Sequence, residues 1–160
     1  MPKKTLETIT LTEQEIPTSN IEAIYRCLLE KGVALPLYDS AVSAGFPSPA
    51  DDHLDRELDL NELLIEHPAA TFFARAAGNS MEPAGIFDGD LLVVDRSLKP
   101  RDGRVVVAAV NGELTVKRVR HFGLKTFLDA DNKAYQPIEI TEFCEVVYWG
   151  VVTNVIHRMR

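Results

Sequence analysis

Two residues of this 160-residue chain could do covalent chemistry together, a serine and a lysine. Ser80 lies in Ala77-Gly78-Asn79-Ser80-Met81-Glu82-Pro83, a glycine-preceded bend that follows a short apolar run. Such a bend can present a hydroxyl as a nucleophile and aim backbone N–H groups at one point, as an oxyanion requires. Lys117 sits in one arm of a predicted hairpin, because Asn111-Gly112 between two apolar runs is the preferred two-residue turn, both positions taking positive φ. That loop pairs Val110 with Glu113, Ala109 with Leu114, Ala108 with Thr115, Val107 with Val116 and Val106 with Lys117. Side chains alternate faces, so Lys117 shares its face with Val106, Ala108, Val110, Thr115 and Val119. Desolvation there disfavours the ammonium and lowers the lysine pKa, and a neutral lysine can act as a general base. The plainer alternatives are a serine that only makes a turn and a lysine that snorkels to the surface or faces solvent at an edge.

Other polar groups make weaker chemistry. His53, His67, His121 and His157 stand at no recognisable spacing from a nucleophile and an acid, which argues against a Ser-His-Asp triad. Lys117-Arg118-Val119-Arg120-His121 reads as a solvated edge rather than a phosphate site, and Asp88-Gly89-Asp90 lacks the further ligands of a calcium loop and reads as a turn. Cys27 and Cys144 lie in unrelated contexts without metal-ligand spacing, so a reduced compartment is expected and a zinc site or other metal is not.

The elements that must position the serine and lysine are β-strands. Thr71–Ala76, Leu91–Asp95, Val105–Val110, Leu114–Val119, Lys125–Leu128, Cys144–Trp149 and Val151–His157 are short runs rich in Val, Ile, Phe and Leu, separated by Asp-Gly, Asn-Gly and Pro-containing breaks. They predict a mainly β, compact, barrel- or sandwich-like, largely antiparallel domain over 71–160. Ahead of it stands a flexible, partly helical N-terminal arm, 1–44, in which Ile21, Ile24 and Leu28 predict one helix over Ser19–Lys31. Between them, 45–70 opens with Gly-Phe-Pro-Ser-Pro-Ala-Asp-Asp and reads as an exposed acidic linker. Within the linker, Asp59 with Glu62 resembles a capping box and predicts a helix of two to three turns ending before Pro68.

Composition narrows the function. The chain is 46% hydrophobic and 26% charged, which fits one folded domain or a smaller domain with an arm. The net charge is -7, and most of the imbalance falls in 45–70, where one basic residue meets seven acidic ones. Gripping nucleic acid directly needs basic surface, so protein partners are expected instead. The longest apolar run is Val105–Val110 and the N-terminus lacks a signal-peptide stretch, so a cytoplasmic protein without a membrane anchor is expected.

Together these residues resemble the LexA/UmuD family of self-cleaving serine peptidases, and most closely its UmuD-like branch. The matching stretches are Ser-Ala-Gly-Phe-Pro-Ser-Pro-Ala at 43–50, Asp-Leu-Asn-Glu-Leu-Leu-Ile at 59–65, Gly-Asn-Ser-Met at 78–81, Asp-Gly-Asp-Leu-Leu-Val-Val-Asp at 88–95 and Gly-Glu-Leu-Thr-Val-Lys-Arg at 112–118. They stand in the family's order, with intervals of 35 residues from Gly45 to Ser80 and 37 from Ser80 to Lys117, and the likeness runs from Leu37 to Arg160. It implies Ser80 as nucleophile, Lys117 as general base, the backbone amides of Asn79 and Ser80 as oxyanion donors, and Ala44–Gly45 as the scissile bond. Two small residues at that bond suit a segment that must bend into a cleft.

The resemblance further implies a DNA-damage (SOS) response protein whose self-cleavage is stimulated by a RecA-type recombinase filament on single-stranded DNA. The cleaved homodimer, residues 45–160, would be the accessory subunit of a UmuC-like, error-prone Y-family translesion polymerase. A sliding clamp is a further candidate partner, and no cofactor is implied. Two rivals remain. A LexA-like transcriptional repressor needs a helix-turn-helix domain, for which 44 residues of net charge -2 are too few and too acidic. A non-catalytic polymerase-binding protein would carry the same residues without using them.

Overall fold

The structure, a computed structural model, describes residues 21–26, 34–38 and 54–159. Its ten strands are β1 (Ile21–Arg26), β2 (Ala34–Tyr38), β3 (Leu54–Asp59), β4 (Thr71–Ala76), β5 (Leu91–Asp95), β6 (Val105–Val110), β7 (Glu113–Phe122), β8 (Lys125–Asp129), β9 (Ile138–Ile140) and β10 (Val146–Ile156). One short α-helix, α1, spans Leu60–Leu64. The described residues fall into two compact units, one of 21–26 with 67–159 and one of 34–38 with 54–66.

The larger unit is a curled, half-barrel antiparallel sheet in the order β1-β4-β5-β10-β6-β7-β8-β9. This is the mainly β, antiparallel domain expected from the spacing of apolar runs. The β6–β7 hairpin has the expected register, with Lys117 opposite Val106 and Thr115 opposite Ala108. Its turn residues Asn111 and Gly112 take φ of 49° and 86°. Alternation along the strands then sorts the core onto two faces. Phe72, Ala74, Leu92, Val94, Val107, Leu114 and Val116 pack with Met81 and Ile86 on one. Val106, Ala108, Val119, Leu128 and Val151 pack on the other. Burying a side chain the size of Leu92 or Leu128, both 0% exposed, stabilises the fold by roughly 1.5–3 kcal/mol each.

Three expectations need correction. Ile21–Arg26 is a strand antiparallel to β4, not part of a helix. Ile21 and Ile24 are both buried on the first face even though they are three apart, because a bulge between Ile21 and Ala23 inserts a residue and brings both opposite Ala76 and Ala74. That bulge imitates helical spacing. The rest of the Ser19–Lys31 stretch lies outside the described residues. Second, 45–70 holds more regular structure than a linker: β3 pairs with β2, and α1 is five residues long rather than two to three turns. Asp59 caps α1 as expected, its Oδ1 accepting from the Asn61 N–H at 2.8 Å. Third, the two runs before and after Gly150 form one strand, β10. A Cβ at Gly150 would stand 2.7 Å from the Asp95 carbonyl oxygen, so this glycine admits the neighbouring β5 backbone instead of ending a strand.

Candidate active site

Ser80 follows β4 in a turn whose geometry its neighbours dictate. Gly78 takes φ of 76°, a left-handed conformation that costs glycine little, and its N–H donates to Asp88 Oδ1 at 2.8 Å. The Asp88-Gly89-Asp90 stretch is the turn it was expected to be, and it braces this one. A single 3-10 turn, Glu82–Ala84, with Pro83 as its second residue, closes the bend. Met81 is buried in the first core face, so it anchors the turn and Ser80 itself is only 3% exposed.

Lys117 comes from the middle of β7. It is 6% exposed, and it shares its side of β7 with Val119 and stands opposite Val106, both of the second core face. The apolar surroundings expected from the register are therefore present. Burial lowers its pKa from 10.5 to about 8, because the charged form loses water that apolar side chains cannot replace. Its Nζ lies 3.3 Å from Ser80 Oγ. It also donates to Thr115 Oγ1 at 2.9 Å and to the Val116 carbonyl at 3.1 Å. These two hydrogen bonds hold the amine in place, and burial alone is what lowers its pKa.

Sequence positions 37 apart are thus brought to hydrogen-bond distance, and chemically they form a hydroxyl beside an amine that is partly neutral at physiological pH. Asn79 immediately precedes Ser80 in the turn. Ala44 and Gly45, expected as the scissile pair, lie outside the described residues.

The histidines serve elsewhere. His67 Nδ1 is 2.7 Å from Asp95 Oδ2 and His157 Nδ1 is 2.6 Å from Asp90 Oδ1, each tying a half-exposed ring to a buried carboxylate. His121 meets Thr126 Oγ1 at 3.0 Å, and His53 lies outside the described residues. Among the described residues, no group of three or more His, Cys, Asp or Glu side chains could hold a metal ion. No helix among them is long and apolar enough to cross a membrane.

One set of contacts had no sequence signal. The loop between β8 and β9 reaches the serine turn: Asn132 donates its backbone N–H to the Ser80 carbonyl at 3.0 Å and its Nδ2 to the Asn79 carbonyl at 3.1 Å. The Tyr135 hydroxyl donates to Asn79 Oδ1 at 2.6 Å. Residues more than fifty positions apart carry no periodicity, so nothing short of the fold reveals them.

The chain matches the family described as Peptidase S24-like over residues 36–153. It is 47% identical over 131 residues to Protein ImpA of Salmonella typhimurium, covering 78% of this chain and 85% of that one. To Protein MucA of Escherichia coli it is 44% identical over 123 residues, covering 76% and 83%. To LexA repressor 1 of Pseudomonas putida it is 40% identical over 118 residues, covering 73% of this chain and 58% of the repressor. With a buried serine and lysine paired at its centre, the chain belongs to the peptidase S24-like, LexA/UmuD family and is a UmuD-like member of it.

Proposed function

We propose that this protein is a self-cleaving serine endopeptidase of the DNA-damage (SOS) response that cuts its own Ala44–Gly45 bond with a Ser80–Lys117 dyad. The observation that carries the reading is the 3.3 Å approach of two buried groups, one a hydroxyl and the other a lysine whose pKa burial has brought to about 8. Membership in a peptidase family supports it.

In this mechanism neutral Lys117 Nζ takes the Ser80 hydroxyl proton as Oγ bonds to the Ala44 carbonyl carbon. The oxyanion is met by the backbone N–H groups of Asn79 and Ser80. Collapse breaks the Ala44–Gly45 C–N bond, Lys117 returns the proton to the Gly45 nitrogen, and residues 1–44 remain esterified to Ser80. Lys117 then takes a proton from water, the resulting hydroxide attacks the ester, and Ser80 recovers its proton as the 1–44 carboxylate leaves. A tethered substrate arrives at high effective concentration, so a slow dyad suffices.

The domain roles follow: 1–44 is the arm removed, 45–70 the segment that carries the new terminus, and 71–160 the peptidase body. The recombinase filament stimulates cutting by binding the cleavable arrangement better than the resting one. The product, 45–160, acts in the cytoplasm as a homodimeric accessory subunit of a UmuC-like translesion polymerase, with the sliding clamp as a further partner.

Intact-mass spectrometry of the purified chain at mildly alkaline pH, alone and with recombinase filament on single-stranded DNA, tests the reading beside a Ser80→Ala control. Fragments 1–44 and 45–160, absent in the control, are expected. A chain uncut under every condition would move the function to a non-catalytic polymerase-binding role.

A further inference from the structure

The turn that carries Ser80 is held from outside by a loop that belongs to the other half of the sheet. Asn132 grips two consecutive carbonyls, those of Asn79 and Ser80, with its side-chain amide and its backbone N–H. Its own amide is not free to rotate. Asn132 Oδ1 accepts from the Ala134 N–H at 3.0 Å, which turns Nδ2 toward Asn79. The Asn132 carbonyl accepts from the Tyr135 N–H at 3.1 Å, and the Tyr135 hydroxyl returns to Asn79 Oδ1. The preceding residue, Asp131, is clamped by Arg118, whose Nε lies 2.8 and 3.1 Å from its two carboxylate oxygens while Nη2 donates to Oδ2. Arg118 Nη1 also donates to the Gly103 carbonyl at 2.7 Å.

Planarity gives this grip a chemical meaning. The Asn79 carbonyl and the Ser80 N–H belong to one trans peptide plane, so they point to opposite sides. Fixing the carbonyl on Asn132 fixes the direction of the Ser80 N–H. The same holds for the Ser80 carbonyl and the Met81 N–H. A two-point hold on adjacent peptide planes also limits the rotation that would move Ser80 Oγ away from Lys117 Nζ.

Resting on the self-cleavage reading, we propose that Asn132 is a positioning residue of the peptidase. It sets the orientation of the Ser80 oxyanion donor and of the Ser80 hydroxyl, with Tyr135 locking Asn79 and the Arg118–Asp131 pair fixing the loop. One strand, β7, then aligns both halves of the dyad: Lys117 directly, and Ser80 through Arg118, which points to the opposite face. A misplacement of about 1 Å in such a constellation costs on the order of a hundredfold in rate.

The test follows self-cleavage of the full chain from pH 6.5 to 10 for wild type, Asn132→Ala, Asn132→Asp and Tyr135→Phe, with thermal unfolding recorded for each. Asn132→Asp keeps the acceptor for Ala134 but replaces the donor facing the Asn79 carbonyl. Both Asn132 variants should lose roughly 10- to 100-fold in the high-pH plateau rate while the midpoint of the pH profile stays in place. Tyr135→Phe, at an exposed residue that tolerates truncation, should lose roughly threefold to tenfold while its unfolding temperature holds. A merely structural role would lower the unfolding temperature and leave the plateau of the folded protein unchanged. Plateau rates equal to wild type, or rescue by Asn132→Asp, would overturn the proposal while leaving the dyad standing. A wild-type chain that never cuts would overturn the dyad reading and this proposal with it.

Discussion

The rate of self-cleavage should follow the titration of Lys117. With the amine near pKa 8, about a tenth of the chains carry a neutral lysine at pH 7, about half at pH 8 and about nine tenths at pH 9. The rate should therefore rise roughly tenfold from pH 7 to 9 and flatten above. A solvated lysine at 10.5 predicts a different curve, with about one chain in 3,000 competent at pH 7 and a rate climbing roughly a hundredfold by pH 9 without levelling. The lowering has a physical source that can be removed. Val106 and Val119 exclude water from the β7 face on which Lys117 lies, so Val106→Ser, which lets water approach, should move the midpoint upward. Lys117→Arg, charged throughout, should not cut at any pH in the range. The assay is the decay of intact mass with time in buffers of constant ionic strength from pH 6.5 to 10. A flat profile, or a midpoint near 10.5, would refute the reasoning from burial to base.

The same burial makes Lys117 a cost to the fold. Its pKa is lower folded than unfolded, so the penalty, about 3 kcal/mol, is fully present below about pH 8 and fades as pH rises toward 10.5. Lys117→Met gives up three hydrogen bonds of roughly 1 kcal/mol each, which about cancels that penalty, so it should be about as stable as wild type to urea at pH 7. By pH 10, where the penalty has faded, it should be about 2 kcal/mol less stable than wild type. Gly150→Ala drives a methyl into the Asp95 carbonyl and the Val94 side chain and should cost about 3 kcal/mol in the same assay; a loss below about 1 kcal/mol would mean that β5 and β10 separate easily. The Arg118 hydrogen bonds hold the Asp131 carboxyl below its ordinary value, so their contribution is present at neutral pH and lost as pH falls through the folded value. Wild type should accordingly lose about 1 kcal/mol more stability than Asp131→Asn between pH 5 and pH 2.5, measured by urea unfolding.

What could be read from residues alone was whatever local rules control. Asn111-Gly112 dictates a turn, the turn dictates a register, and the register places Lys117 opposite Val106 on an apolar face. No long-range knowledge is needed for that chain of inference. The partner of Lys117 was reachable only through the likeness of spaced motifs, since nothing local to Ser80 says which strand will pass beside it. Where a local signal had two meanings, the reading failed. Three-residue spacing at Ile21 and Ile24 signals a helix unless a bulge restores the strand face, and only β4 reveals the bulge. Gly150 signals a break unless a neighbouring backbone needs its missing Cβ. Ile138–Ile140 is too short for any period to show. The Asn132 contacts were out of reach for the opposite reason, being single hydrogen bonds between distant loops.

The first strand of the sheet stands on the far side of the proposed cut from the body it completes. In the intact chain β1 holds its place beside β4 as part of one molecule, at an effective concentration that a tether keeps near the millimolar range. Once Ala44–Gly45 is severed, the ladder and the buried Ile21 and Ile24 are unchanged, but the strand has become a peptide ligand with a dissociation constant. Its occupancy then obeys mass action, so the same cut protein keeps its eighth strand when concentrated and sheds it when dilute. Cutting by itself is silent. Dilution turns it into a structural event, by opening the N–H and C=O row along the edge of β4.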